Sequence, residues 1–183
     1  EAEGLRRYLH LGTGNYNATT ARQYTDFSLM TADEALGGDV GELFNMLTGS
    51  SKQKGHRALL VAPLDMQQQL IAKIEREIVR QRETGNGHLI FKCNGLTDEE
   101  MTAALYRAAQ AGVRVDLLVR GVCSVRPGIP ALSECMRVRS IVGRFLDHHR
   151  FYYFFNGGAE EMYAESVDLM DRNLHRRIET LFP

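Results

Sequence analysis

The chain has 183 residues, of which 44% are hydrophobic and 25% are charged, and its formal net charge is −1 at pH 7. This composition indicates a globular protein with a sizeable core, and the near-neutral charge argues against a nucleic-acid-coating protein. No apolar run approaches the ~20 residues that a membrane-spanning helix needs. Three widely spaced cysteines without a CxxC pair favour reduced thiols, so we expect a cytoplasmic protein. From the net charge we expect no nucleic-acid partner.

The basic residues are mostly arginine, with 18 arginines against 4 lysines, and ten arginines but no lysine from Arg114 onwards. The planar guanidinium group binds phosphate through two parallel hydrogen bonds, whereas lysine acts as a point charge. Alternatively, a codon or lineage bias towards arginine would explain the excess of arginine over lysine. Because nine acidic residues occupy the same part of the chain, we expect any anion site there to consist of a few residues rather than a broad positive surface.

The first fifty residues predict two strands and a helix. Residues 5–12 suit a strand, and the glycine-containing turn at 12–17 lets backbone N–H groups approach an anion, although a simple tight loop fits equally well. Residues 24–30 suit a second strand, and residues 33–47 a helix with capping residues at its start. The small polar residues 49–55 indicate a linker.

The pattern after the linker alternates between strands and helices. We predict strands at 58–62, 88–93 and 113–119, and helices at 65–84 and 97–111, the latter stopping at a glycine. Two successive strand–helix–strand units imply a mostly parallel sheet with right-handed crossovers.

Arg120 directly follows the predicted strand 113–119, where ligands of open parallel sheets gather. It is therefore a candidate anion ligand, with a plain surface arginine as the alternative. Arg137 and Arg139 would share one face of a further strand, which is also typical of a charged edge that deters pairing.

The most informative stretch is 144–173. His148 and Arg150 head an aromatic run, and on an extended segment side chains two positions apart share a face. An imidazole beside a fixed positive fork suits phosphoryl chemistry. His149 would face away, while Asp168 and Arg172 are expected to close over the same pocket as secondary contacts.

Three runs resemble the carboxyl-terminal half of the long-chain polyphosphate kinases, which belong to the wider phospholipase D-like fold. They are LHLGTGNYNATTARQYTDFSLMTAD (9–33), LLVRGVCSVRPGIPALSE (117–134) and VRSIVGRFLDHHRFYYFFNGG (138–158). The resemblance covers essentially the whole chain. It implies an α/β fold, a phospholipase D-like mixed sheet with flanking helices.

The resemblance also implies a domain division and a reaction. Residues 1–50 would be the carboxyl-terminal piece of a first phospholipase D-like catalytic domain, and 51–183 a second one, truncated at its end. The family transfers the terminal phosphoryl group of ATP reversibly to inorganic polyphosphate, with Mg²⁺, through a phosphohistidine. That histidine and the Mg²⁺ ligands are expected upstream of this chain, which we interpret as an inactive fragment with no metal site of its own.

Residue roles follow from the same resemblance. His148 corresponds to the second half-site histidine, which binds ATP phosphate and assists as general acid or base. Tyr24 and Arg120 match other ATP-contacting positions, and Asn15 the asparagine that completes the first half-site. Arg150 stands where the wider fold prefers lysine, and the arginine would bind phosphate more strongly than lysine.

The chain departs from the family pattern in one motif, and two alternative functions stay open. Residues 166–170 read Ser-Val-Asp-Leu-Met where the family usually has Ser-Ala-Asp-Trp-Met, so an aromatic contact is lost. The chain alone could be a nucleotide- or polyphosphate-binding module without turnover, or, less in keeping with Arg150, a phospholipase D-like phosphodiesterase.

Family members form homo-oligomers, and their location is cytoplasmic or at the inner-membrane surface.

Overall fold

A computed structural model describes residues 6–50, 55–165 and 167–183, so residues 51–54 of the predicted linker lie outside the described part. Among the described residues, no helix combines the length and apolar character that crossing a membrane requires.

Residues 6–50 contain three short strands and one α-helix. Strand β1 (Leu9–Gly12) pairs antiparallel with β3 (Ser28–Thr31), and helix α1 (Glu34–Leu47) follows. The single strand predicted at 24–30 is wrong. The chain breaks between β2 (Tyr24–Thr25) and β3, because β2 pairs with a distant parallel strand, β8 (Leu146–Asp147).

Helix α1 begins as predicted. The Asp33 side chain accepts a hydrogen bond from the backbone N–H of Leu36 at 2.9 Å, which satisfies one of the free donors of the first turn.

The centre of the protein is a five-stranded mixed sheet in the order β10-β9-β5-β6-β7. Strands β5, β6 and β7 are parallel, whereas β9 and β10 run antiparallel to their neighbours. These strands are β5 (His88–Cys93), β6 (Arg114–Val119), β7 (Met136–Arg139), β9 (Arg150–Phe154) and β10 (Glu161–Glu165). The mixed sheet with helices packed on it is the predicted fold class.

Helices α2 (Met66–Thr84) and α3 (Glu99–Gln110) contribute their apolar faces to the core beneath this sheet. Leu70 and Ile74, four residues apart on α2, are completely buried, as the helical period requires. Tyr152 on β9 is also completely buried, and its hydroxyl group donates to the carbonyl of Val167 at 2.8 Å. Its polar tip is therefore satisfied inside the core.

Two parts of the predicted topology are wrong. Strand β4 (Leu60–Ala62) does not join the central sheet but pairs antiparallel with β11 (Glu179–Leu181), so the sheet is less parallel than the alternating pattern suggested. The sequence also predicts a last strand that contains Arg176 and Arg177, but Arg176 belongs to helix α4 (Asp171–Arg176) and the strand begins only at Glu179. Strand β10 and helix α4 were not predicted, because each is short and has little periodicity.

Asp39 ties α1 to the start of the second part of the chain. One of its carboxylate oxygens accepts hydrogen bonds from the backbone N–H groups of Arg57, Ala58 and Leu59 at 2.8, 2.7 and 3.0 Å. Burial on its own raises the pKa of Asp39, but the three N–H donors outweigh it and leave the pKa below its ordinary value. The stabilisation is therefore present above that ordinary value and is lost as the pH falls through the lowered pKa.

Replacing Asp39 by alanine should release these three amides. Hydrogen bonds to a charged acceptor contribute about 1.5–3 kcal/mol each, so we expect amide hydrogen exchange at residues 57–59 to accelerate by roughly 10–100-fold at neutral pH. Glu42→Ala removes an exposed carboxylate from the same helix and is the matched control. Equal protection of the three amides in both variants would contradict the assigned role.

Candidate active site

Arg120 lies at the carboxyl ends of the parallel strands, as the sequence predicts. Its Nε and Nη2 atoms donate to Oδ1 of Asn94 at 3.0 and 2.8 Å, and Nη1 donates to the carbonyl of Asp147 at 3.1 Å. Asn94 follows β5 just as Arg120 follows β6. The guanidinium group is thus held at a fixed angle by the residue at the end of the neighbouring strand.

Asp168 and Arg150 form a buried ion pair, with side chains 6% exposed on each side. Nε and Nη2 of Arg150 donate to the two carboxylate oxygens at 3.1 and 3.2 Å. The same carboxylate accepts the backbone N–H groups of Asn94 and Gly95 at 2.7 and 3.2 Å. Asp168 therefore fixes the loop that carries Asn94, and through it Arg120.

The expected shared face of His148 and Arg150 is wrong. Strand β9 begins at Arg150, so the period of two does not extend back to His148. Arg150 points into the core towards Asp168, and its Nη1 donates to the backbone carbonyl of His148. The guanidinium group supports the backbone of His148 rather than lying beside its ring.

The His148 ring is held by residues from the first part of the chain. Its Nδ1 lies 2.9 Å from Oδ1 of Asp26, and its ring stacks on Tyr24 with centroids 4.9 Å apart. Because a carboxylate only accepts, we assign the proton of the neutral ring to Nδ1, which leaves the lone pair on Nε2, on the opposite side of the ring. The backbone N–H of His148 also donates to the carbonyl of Thr25 at 3.2 Å.

A second polar cluster lies next to this ring. Asp147 contacts the ammonium group of Lys92 at 2.9 Å and Nε2 of His149 at 3.2 Å. Burial lowers the pKa of Lys92, partly offset by its hydrogen bond with Asp147. His149 packs edge-on against Phe27, so it belongs to the contact between the two parts of the chain.

A cavity of about 530 Å³ opens beside these residues. Tyr24 and Arg120 line it together with the exposed Arg22 and Arg144, and Ile141, Val142 and Phe145 form an apolar wall. A basic floor beside an apolar wall can hold a ligand that carries both phosphate groups and a flat apolar ring.

The remaining predicted residues lie elsewhere. Asn15 is exposed and lines a neighbouring cavity of about 280 Å³, which it shares with Asp26 and Tyr24. Arg172 is exposed on α4. Asp168 lies in the core rather than over the cavity.

The acidic residues near the site do not suit a magnesium ion. The described residues include no group of three or more His, Cys, Asp and Glu side chains placed to hold a metal. Asp26, Asp147 and Asp168 are each engaged by cationic or hydrogen-bonding partners. The expectation that Mg²⁺ ligands lie upstream of this chain stays a prediction.

Sequence reasoning missed Asp26 and Asn94. Asn94 could have been found, since it stands at the end of a predicted strand as Arg120 does. Asp26 could not, because its contact with His148 spans 122 positions and depends on the pairing of two short strands.

Arg150→Met should destabilise the protein by about 3–5 kcal/mol, because it leaves the buried carboxylate of Asp168 without its cation. Arg172→Met removes an exposed arginine and should change the free energy of unfolding by no more than about 0.5 kcal/mol. Urea unfolding of both variants measures the difference. A mild effect at Arg150 would mean that the pair contributes little to stability.

Comparison with known proteins shows the family of the chain. The family model described as "Polyphosphate kinase C-terminal domain 2" matches residues 59–183, and "Polyphosphate kinase C-terminal domain 1" matches residues 1–53. Polyphosphate kinase 1 of Chlorobaculum tepidum is 55% identical over all of this chain, which covers 26% of that protein. The polyphosphate kinase of Pseudomonas aeruginosa is 53% identical over 98% of the chain, again 26% of its own length.

The crystal structure of polyphosphate kinase from Porphyromonas gingivalis superposes with a TM-score of 0.91 at 43% identity, covering 97% of this chain and 27% of that one. This match confirms the predicted α/β, phospholipase D-like fold class. The chain spans about a quarter of the length of the curated relatives it matches. By sequence and by structure, it belongs to the polyphosphate kinase family.

Proposed function

We propose that this chain works as the carboxyl-terminal part of a polyphosphate kinase, which moves the terminal phosphoryl group of ATP reversibly to inorganic polyphosphate. The observation that carries the proposal is the His148 ring, clamped by Asp26 and Tyr24 and close to the cavity lined by Arg120. Residues 1–50 and 51–183 contribute to this site as parts of two phospholipase D-like domains.

The covalent step belongs to a histidine upstream of this chain. Its ring nitrogen attacks the terminal phosphorus of ATP, a nitrogen–phosphorus bond forms, and the bond from that phosphorus to the bridging oxygen breaks to release ADP. A terminal oxygen of polyphosphate then attacks the phosphohistidine, which lengthens the polymer by one phosphate and frees the histidine. The transition state spreads charge over the phosphoryl oxygens, so catalysis depends on positioning and charge stabilisation.

His148 is the general acid or base in this scheme. With Nδ1–H donated to Asp26, Nε2 is the nitrogen that exchanges a proton with a phosphate oxygen or accepts a hydrogen bond from a protonated one. Such proton transfer contributes about 10²–10⁴-fold to the rate. Asp26 also stabilises the imidazolium form that arises when Nε2 takes up a proton.

The cavity residues bind ATP. Arg120 offers its fork to the phosphates while Asn94 holds its orientation, and Tyr24 supplies a hydroxyl donor beside the His148 ring. Asn15 acts from the neighbouring cavity, next to the expected upstream half-site. Arg150 and Asp168 do not contact the ligand themselves. Their buried ion pair holds the backbone of His148 and Asn94 in place. Arg172 is a peripheral contact. Mg²⁺ would be held by upstream residues, and the full-length protein is a homo-oligomer.

His148→Ala in the full-length protein should lower the rate of polyphosphate synthesis by about 10²–10⁴-fold, the usual contribution of a general acid or base. Arg120→Ala should raise the ATP concentration needed for half-maximal rate as well as lower the rate. His175→Ala, in a histidine exposed on α4, is the control and should leave both quantities near their starting values. Near-normal synthesis in the His148 and Arg120 variants would overturn the assignment.

The chain by itself should not incorporate phosphate from ATP labelled at its terminal phosphoryl group, because the attacking histidine is supplied from upstream. Acid-labile, base-stable labelling of the isolated chain would show that one of its own histidines is a nucleophile. Cleavage of a phosphodiester substrate by the full-length protein would instead favour the phosphodiesterase alternative.

A further inference from the structure

The turn at 12–17 contains a threonine that is completely buried although it is polar. Thr13 has no exposed surface, and its hydroxyl group has partners on two sides. It accepts the backbone N–H of Phe27 at 3.0 Å and donates to Oδ1 of Asp26 at 2.8 Å. The carbonyl of Phe27 lies farther away, at 3.4 Å, and is uncharged, so the single hydroxyl proton goes to the carboxylate.

Oδ1 of Asp26 is thus the meeting point of two donors. It accepts from Thr13 and from Nδ1 of His148, at 2.8 and 2.9 Å. Thr13 contacts Asp26 rather than the cavity beside His148, so its influence on the ring passes through the carboxylate. With the Thr13 donor in place, Oδ1 is directed at the imidazole and the carboxylate cannot rotate without losing a hydrogen bond.

Gly14 closes the other side of the carboxylate. A Cβ atom added at this position would lie 2.7 Å from Oδ2 and 2.8 Å from Cγ of Asp26, closer than real contacts allow. Gly12, in the same turn, has room, since an added Cβ would come no nearer than 3.6 Å to the carbonyl oxygen of Phe27. The second glycine is therefore required by the close approach of a side chain.

This arrangement gives Thr13 a role other than anion binding. The backbone N–H of Thr13 donates to the carbonyl of Phe27 at 2.9 Å, so it is not available to a phosphate group. The contacts of Thr13 and Gly14 converge on Asp26.

We propose that Thr13 and Gly14 are positioning residues for His148: they fix the Asp26 carboxylate, which keeps the imidazole protonated on Nδ1 and leaves Nε2 free for the reaction. The role of Nε2 in phosphoryl transfer rests on the proposed function, whereas the protonation pattern of the ring does not. The two parts can therefore be tested separately.

The test uses the full-length protein with ¹⁵N-labelled histidine. Thr13→Val keeps the shape of the side chain but removes the hydroxyl group, and Thr13→Ser restores it. In the starting protein the His148 ring should show a protonated Nδ1 and an unprotonated Nε2. In Thr13→Val we expect a mixture of the two tautomers and a kcat about 10–100-fold lower with an unchanged KM for ATP, since one hydrogen bond to a charged group is lost. Thr13→Ser should recover both signals.

Gly14→Ala and Gly12→Ala provide a second, independent pair that leaves the Thr13 hydroxyl group in place, and they serve if Thr13→Val does not fold. The alanine at position 14 should displace Asp26 and mix the tautomers, while the alanine at position 12 should not. An undisturbed Nδ1–H tautomer in Thr13→Val or in a folded Gly14→Ala protein would overturn the inference. So would a Thr13→Ser protein as impaired as Thr13→Val. Mixed tautomers with an unchanged kcat would uphold the positioning role and refute the catalytic role of His148.

Discussion

The site depends on one buried carboxylate, that of Asp168. It receives two backbone N–H groups from the end of β5, the side-chain amide of Asn94 and two N–H groups from Arg150, so five donors converge on one charge. Burying such a charge is unfavourable unless each oxygen is satisfied, and here each is. Asn94, which Asp168 holds, accepts a hydrogen bond from the guanidinium group of Arg120. Arg150, the ion-pair partner of Asp168, donates to the backbone carbonyl of His148.

The rest of the site comes from the other part of the chain. Tyr24 and Asp26 reach His148 where β2 pairs with β8 and Phe27 packs on His149, which brings residues more than 120 positions apart into contact. The first part of the chain supplies Tyr24 and Asp26, and the second part supplies His148 itself. This division follows the two family models, which match residues 1–53 and 59–183 separately.

The sequence predicted the elements with strong periodicity. The apolar faces of α2 and α3 and the parallel strands β5 and β6 were recognisable, because burial enforces a period of 3.6 or 2 on the residue pattern. The pairing of β4 with β11, and the break between β2 and β3, were not recognisable, since both depend on partners far away in the chain. Arg120 was located because strand ends mark ligand sites, whereas Arg150 was misplaced because the strand starts two residues later than assumed. Thr13 and Gly14 were seen as an anion-binding turn, and only the position of Asp26 reveals what they contact.

The shortness of the β2–β8 pairing has a consequence for how long the site stays assembled. Two residues on each strand form this ladder, and small contact regions open locally at much lower free energy than the whole fold requires. Tyr24 and Asp26 lie on or next to β2 and His148 directly follows β8, so a local opening of this ladder separates the first two residues from the third. The fraction of molecules that hold a complete site is therefore set by this local equilibrium, and a ligand that bridges Tyr24 and Arg120 across the cavity shifts it towards the closed form.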